Sequence, residues 1–216
     1  MPSTSLLPAH PSLADLAGIR RWPSDDARHW VEAFVADAAG NPRFRAIVAY
    51  GSAVRDVRAS GDLDLLYVFS GDGISADAAP MDVDLRGYSS DVVDQRIASG
   101  DEVLGWSLRH GVPLFEREGY WTELQSHWTG RLPLPSADAA EERAARALKV
   151  AEGLAAGGDE DAAAELRLTA LTQRARACLI RRGVFPLSRP ELPQQLVRIR
   201  ERELATELAS LLTMRS

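Results

Sequence analysis

Two aspartates, Asp62 and Asp64, open a strongly apolar segment and are separated by a single leucine. In an extended strand, residues two positions apart point to the same face, so both carboxylates would project together while Leu63 and Leu65 pack on the opposite side. Two adjacent carboxylates repel each other unless a hard cation neutralises them, and Mg²⁺ accepts one or two carboxylates together with phosphate oxygens. The spacing therefore predicts a magnesium site that also holds a phosphate-bearing ligand.

A further carboxylate follows in the next strand-like segment, residues 81–88, where Asp82 and Asp84 would share one strand face. A third carboxylate would complete a two-ion site, in which the metals stabilise the attacking and leaving oxygens of an in-line displacement. Asp84 is favoured because apolar residues flank it on both sides. Asp82 directly follows Pro80 and Met81 and would lie at the entrance of the strand, so it stays the alternative.

A Gly-Ser pair, Gly51 and Ser52, precedes the aspartates by nine residues and ends a predicted strand. Glycine lets the backbone approach a phosphate closely. Ser52 and the amides after it would lie at the start of a short helix, where backbone N–H groups bind anions. The pair therefore predicts a binding site for the phosphates of a nucleotide, next to the metal site.

Residues 44–88, with these motifs, resemble the core of the DNA polymerase β superfamily, in the style of the minimal nucleotidyltransferases of prokaryotes. The resemblance implies that Gly51 and Ser52 bind the phosphates of ATP or another nucleoside triphosphate. It implies a two-ion Mg²⁺ site and an activated acceptor hydroxyl beside the third carboxylate. The catalytic and metal-binding positions are then Asp62, Asp64 and Asp84.

The resemblance also gives Arg55 a role in holding the triphosphate. Two positions depart from the pattern of many relatives: Gly61 replaces a serine directly before the first aspartate, with Ser60 one step earlier, and Ala53 replaces a basic residue. Neither change removes a predicted metal ligand.

The elements around these motifs predict an α+β fold, with a small mixed β-sheet flanked by helices and a C-terminal helical bundle. Apolar and β-branched segments predict strands over 44–50, 62–69, 81–88 and a short one at Val-Pro-Leu-Phe. Helices are predicted from Ser24 to about Ala39, from Ser89 or Ser90 to Ala98, over 101–110, and then over 118–129, 136–156, 160–182 and 191–213. The expected division is an N-terminal arm, a nucleotidyltransferase domain and a helical region at 1–23, 24–130 and 131–216.

Composition excludes several other classes of protein. The chain has 216 residues, a net charge of −6 and one cysteine, Cys178, which rules out an internal disulfide. The sequence has no apolar run of the roughly 20 residues that cross a bilayer, and the start of the chain does not resemble a secretory signal, so we expect a cytoplasmic protein without membrane contact. The acidic balance argues against nucleic acid as a partner.

The predicted activity is transfer of a nucleoside monophosphate, AMP from ATP in the first instance, onto a hydroxyl of a small molecule or a protein, with release of pyrophosphate. One alternative is a non-catalytic, antitoxin-like module that binds nucleotide or a partner protein. A second is an enzyme that modifies nucleic-acid ends, which the acidic balance disfavours. Association with a partner protein or with further copies of the chain is left open, and Glu116, Glu118 and Glu123 are candidates for an additional general base.

Overall fold

The computed structural model describes residues 13–55, 61–74 and 78–213. The chain divides into two compact units, Met1–Leu132 and Pro133–Ser216. Of the predicted N-terminal arm, residues 13–18 form a 3₁₀ helix, Leu13–Gly18, and the first twelve residues lie outside the described part. No helix in the described part of the chain is long and apolar enough to cross a bilayer.

The first unit is built on a four-stranded sheet in the order β3-β2-β1-β4. Strand β1 runs antiparallel to both of its neighbours, whereas β2 and β3 are parallel. The sheet is therefore mixed, which confirms the predicted α+β fold class. The strands are β1 Phe44–Tyr50, β2 Leu63–Phe69, β3 Val83–Ser89 and β4 Val112–Glu116.

Four α-helices accompany this sheet, and three of them, α1 to α3, begin directly after a residue whose side chain caps the helix. The Ser24 side chain accepts a hydrogen bond from the backbone N–H of Ala27, and Asp101 accepts from those of Val103 and Leu104. Such caps satisfy backbone donors that have no partner inside the helix. The helices are α1 Asp25–Gly40, α2 Ser90–Ala98, α3 Glu102–His110 and α4 Tyr120–Trp128.

The two central strands are almost entirely buried, because the sheet is covered on both faces. On one face, the Phe34 ring of α1 makes edge-to-face contacts with Phe44 and Tyr67, at centroid distances of 5.6 and 5.8 Å. On the other face, Trp106 of α3 packs against Tyr50, at 6.4 Å. Alternation along β2 places Asp64 on the face opposite Tyr67, so the predicted metal ligands share the side of the sheet that α3 covers.

The second unit is helical, and its last predicted helix is wrong as a single element. Within residues 191–213 the chain forms two separate α-helices, because the backbone leaves the right-handed helical region at Arg200, whose φ is +67°. The Arg200 N–H donates to the Val197 carbonyl and the Glu201 N–H to that of Leu196, so these bonds end the first helix. The four helices are α5 Ala137–Ala156, α6 Glu160–Arg181, α7 Leu192–Arg198 and α8 Arg202–Thr213.

The break between α7 and α8 allows both helices to pack against α6. It brings Leu192 and Leu196 of α7 together with Ala205 and Leu208 of α8, in one buried cluster with apolar residues of α6. A continuous helix would carry these side chains away from one another along its axis, since each residue adds about 1.5 Å.

Candidate active site

Three polar side chains form a row across adjacent strands of the sheet. Asp64 on β2 pairs with Tyr50 on the antiparallel β1 and with Asp84 on the parallel β3. Residues paired across a sheet point to the same face, so the phenol and both carboxylates project on one side. The row lies where β1 ends and where β2 and β3 begin, so residues far apart in sequence meet at one end of the sheet.

The turn at Gly51 brings the Gly-Ser pair against the Asp64 carboxylate. Gly51 has φ of +78° and ψ of −156°, a region of backbone space that only glycine adopts readily. A Cβ placed on Gly51 would lie 2.0 Å from Oδ2 of Asp64, so the position has no room for a side chain. The half-buried Ser52 then begins a 3₁₀ helix, Ser52–Val54, for which Gly51 is the N-cap.

Negative charge is concentrated at Asp64. Burial, together with the charges of Asp62 and Asp84, raises the pKa of this carboxyl to about 7, whereas the charge of Arg86 acts in the opposite direction. Asp64 is half-buried, and the two carboxylates that repel it are exposed. The three predicted metal ligands thus influence one another electrostatically, and a cation would relieve their repulsion.

Asp84 is engaged by Arg86 on the same strand. The Arg86 guanidinium donates to Oδ2 of Asp84 from two nitrogens, at 2.9 and 3.3 Å. Both side chains are about half exposed, so water screens this pair.

Within residues 13–55, 61–74 and 78–213, no three His, Cys, Asp or Glu side chains converge closely enough to hold a metal ion as they stand.

Asp82, the alternative third carboxylate, has a different set of partners. Its side chain accepts a hydrogen bond from the hydroxyl of Ser24 at 2.5 Å, and its carbonyl accepts from the Leu63 N–H at 2.8 Å. Since Ser24 caps α1 and Leu63 begins β2, these bonds join the starts of two elements. Asp82 precedes β3, whereas Asp84 lies within it.

Arg55 lies beside the end of α3. Its Nη1 is 3.4 Å from Nδ1 of His110, and the side chain is half-buried. Residues 56–60, which include Ser60 and connect Arg55 to the aspartate strand, lie outside the described part of the chain. The structure therefore brings Gly51, Asp64 and Asp84 together and places Arg55 next to a histidine.

Tyr50 is a site residue that sequence reasoning missed. It is only 7% exposed, and its hydroxyl has no hydrogen-bond partner among the described residues. Burial, followed by the charge of Asp64, raises the pKa of the phenol well above its usual value. Its position directly before Gly51 is the available sequence signal, but the importance of that position depends on the strand pairing.

Two of the glutamates considered as an additional base already have structural partners. Glu116 accepts hydrogen bonds from the Thr122 N–H and hydroxyl, at 2.9 and 2.8 Å, within the first turn of α4. Glu118 lies 3.5 Å from Arg45. These contacts join Glu116 to the first turn of α4 and Glu118 to β1.

No protein-family model matches the chain, and no curated protein matches it in sequence. Among solved structures, the chain is similar to a nucleotidyltransferase-like protein from Exiguobacterium sibiricum, with 15% identity and a TM-score of 0.39. The alignment covers 86% of this chain and 66% of that one, so the chain spans somewhat less than two thirds of that protein's length.

Proposed function

We propose that this chain is a magnesium-dependent nucleotidyltransferase of the DNA polymerase β superfamily type. In this proposal it moves a nucleoside monophosphate, AMP from ATP in the first instance, onto a hydroxyl of a small molecule or a protein. The observation that carries the proposal is the convergence of the Gly51 turn with Asp64 and Asp84 at one end of three adjacent strands. Three segments whose spacing predicts phosphate and metal binding are thereby neighbours in space.

The donor set suits Mg²⁺. Carboxylate oxygens are hard ligands, and Mg²⁺ needs only one or two of them, because water and substrate phosphates fill its remaining positions. The raised pKa of Asp64 supports this assignment, since burial and the neighbouring charges of Asp62 and Asp84 both disfavour the ionised carboxylate, and a bound cation would stabilise it. Asp84 would have to break its ion pair with Arg86 to bind a metal or the acceptor. Because both side chains are about half exposed, breaking this pair costs little free energy.

The chain's own residues then have distinct tasks. Backbone N–H groups after Gly51 and the Ser52 hydroxyl would bind phosphate oxygens, and Arg55 would add positive charge from the end of the same short helix. Asp62 and Asp64 would hold the metal, which neutralises charge on the phosphate oxygens during an in-line displacement. Asp84 would accept the proton of the acceptor hydroxyl as the new bond to the α-phosphorus forms and pyrophosphate leaves.

The direct test is label transfer by the full chain. The purified protein is incubated with Mg²⁺, a cell extract and each of the four nucleoside triphosphates in turn, labelled at the α-phosphate. We expect label from ATP in a discrete product that is lost with Asp62→Asn or Asp64→Asn. Asp72→Asn, at an exposed position outside the row, is the matched control and should transfer label at the parent rate.

A second pair of variants separates the two candidates for the third carboxylate. Asp84→Asn should abolish transfer and leave much of the nucleotide binding, because Asp84 is assigned to the acceptor side. Asp82→Asn should retain transfer but lower stability, since Asp82 bonds to the cap of α1. The reverse ranking would assign the role of third carboxylate to Asp82.

The alternatives give other results in the same assay. An antitoxin-like module would give no labelled product with any nucleotide, even where a nucleotide binds. An enzyme that acts on nucleic-acid ends would put the label on RNA or DNA in the extract, and nuclease treatment would release it. Either outcome would replace the proposed function.

A further inference from the structure

The Tyr50 hydroxyl is a buried polar group that the resting fold does not use. It has no hydrogen-bond partner among the described residues, and the side chain is only 7% exposed. The comparable Tyr67 on β2 is 8% exposed, but its hydroxyl donates to the Ile74 carbonyl at 3.1 Å. A buried hydroxyl without a partner lowers stability, because it has lost water without replacing it. Phenylalanine would fill the same space without that cost, so the hydroxyl calls for a functional reason.

The Tyr50 phenol lies beside Asp64, and this position limits the functional roles that its hydroxyl can have. Tyr50 pairs directly with Asp64, and the Cβ atoms of directly opposite residues lie about 4.5–5.5 Å apart. The Trp106 ring packs against the phenol at 6.4 Å and an interplanar angle of 57°. Trp106 is itself buried, so α3 confines the phenol to the side of the sheet that carries the aspartates.

Asp64 is the strand partner of Tyr50 and also lies against the turn at Gly51. Its Oδ2 is directed at the Gly51 backbone, where a Cβ would lie 2.0 Å away. Gly51 follows Tyr50 in the chain, so the phenol, the carboxylate and the turn form one small cluster. A carboxylate that binds a metal through one oxygen has another that can accept a hydrogen bond, and such outer partners fix the orientation of metal ligands.

We propose that Tyr50 is a positioning residue whose hydroxyl donates a hydrogen bond to the Asp64 carboxylate when that carboxylate binds the magnesium–nucleotide complex. This inference rests on the proposed function. Because burial fixes the phenol in place, the Asp64 side chain is the group that moves to form this hydrogen bond when the ligand binds. The unpaired hydroxyl thus costs stability in the free protein and strengthens binding in the complex.

The test uses Tyr50→Phe in the full chain and measures binding together with stability. Mn²⁺, as a paramagnetic substitute for Mg²⁺, is titrated in the presence of α,β-methylene-ATP, which blocks transfer, and free Mn²⁺ is followed by its electron paramagnetic resonance signal. We expect the affinity for the metal–nucleotide complex to fall about 10- to 100-fold, the range for lost outer-shell partners of metal ligands. Without metal, Tyr50→Phe should melt at or above the parent temperature.

Tyr67→Phe is the matched control. It removes the hydroxyl of a tyrosine with a similar exposed fraction, 8% against 7%, on the opposite face of the same sheet, where that hydroxyl has a partner. We expect it to lower the melting temperature and to leave metal–nucleotide affinity unchanged. The two variants should therefore differ in the sign of the stability change and in their effect on binding.

Two results would overturn the inference alone. One is a Tyr50→Phe protein that binds the metal–nucleotide complex within about twofold of the parent, while Asp64→Asn does not bind it. The other is a melting temperature lowered as much as by Tyr67→Phe, which would mean that the hydroxyl has a structural partner. If the parent itself fails to bind the complex, the proposed function and this inference fall together.

Discussion

The half-buried carboxyl of Asp64 makes stability depend on pH in a specific direction. Its pKa is about 7 in the folded protein against 3.8 for an aspartate free in water, so between these pH values the folded state binds the proton more tightly than the unfolded state. This contribution to stability is fully present below pH 4 and is lost as pH rises through 7. In the presence of a chelator, Asp64→Asn should therefore be more stable than the parent by roughly 2–4 kcal/mol at pH 8, with a gap that closes toward pH 4.

Urea unfolding at several pH values measures this difference. The matched variant is Asp72→Asn, because Asp72 is exposed and lies outside the row of site residues. Its curve should run parallel to that of the parent. A gap for Asp64→Asn that stays constant from pH 4 to pH 8 would contradict the assigned cause.

Gly51 is required both by its backbone conformation and by the carboxylate next to it. Gly51→Ala must adopt a glycine-only region at φ of +78°, and its methyl group would displace the Asp64 carboxylate. Strain of this kind costs about 1–3 kcal/mol, and we expect at least that loss of stability in thermal unfolding. Stabilisation by magnesium plus ATP should be lost as well, since the ligand acts only through the native site.

Gly73→Ala provides the control for Gly51→Ala. A Cβ at Gly73 meets open space, and its φ lies outside the positive region. We expect it to leave both the melting temperature and the response to magnesium plus ATP as in the parent. Retention of that response in Gly51→Ala would show that the turn does not shape the nucleotide site.

Some residues of the site can be predicted from the sequence around them, whereas others depend on which strands pair in the fold. Asp62, Asp64 and the Gly-Ser pair could be singled out from spacing alone, because the alternation of a strand fixes which side chains share a face. Tyr50 and Arg86 could not. Tyr50 matters only through its antiparallel pairing with Asp64, and a single sequence does not reveal which strands pair or in what register.

Most strands and helices could be predicted from the sequence, whereas the break between α7 and α8 could not. Strand β1 has the predicted bounds, Phe44–Tyr50, because an apolar run ends at a glycine. The break between α7 and α8 was missed because Arg200 occupies the left-handed position, where glycine or asparagine is the usual marker. Only the tertiary cluster that the break assembles explains it.

In the connection from α6 to α7, the buried side-chain amide of Gln195 bonds to two backbone groups. Its Nε2 donates to the Phe185 carbonyl at 2.9 Å, and its Oε1 accepts from the Leu187 N–H at 2.8 Å. Gln195→Ala leaves both backbone groups without this partner, so we expect a loss of about 1–3 kcal/mol in the stability of the second unit. Amide hydrogen exchange of peptides from α6 and α7 would measure it.

Gln194→Ala is the neighbouring control for this prediction. Gln194 is exposed on the same helix, and its truncation should change exchange little. Equal protection in Gln195→Ala and Gln194→Ala would mean that the connection is held by the apolar cluster alone.

At the scale of the whole molecule, charge bears on the kind of acceptor. The chain carries 31 acidic residues against 25 Lys and Arg, which gives the net charge of −6. Nucleic-acid affinity comes largely from neutralising phosphates with basic side chains, so an acidic molecule repels a polynucleotide at long range. A single nucleoside triphosphate differs, because it arrives with magnesium and needs only the local site at Gly51 and the aspartates.

We therefore predict that the full chain does not bind RNA or DNA at about 150 mM salt, where the Debye length is about 8 Å. Fluorescence anisotropy with labelled single-stranded and duplex oligonucleotides, with and without magnesium plus ATP, measures this directly. Even non-specific binders reach dissociation constants of about 10⁻⁴ to 10⁻⁶ M, so a protein titration to roughly 10⁻⁴ M is sufficient. Tight binding that weakens steeply with added salt would contradict the prediction, because that dependence reports released counterions. The acceptor hydroxyl would then be sought at a polynucleotide end, and the small-molecule and protein acceptors would be abandoned.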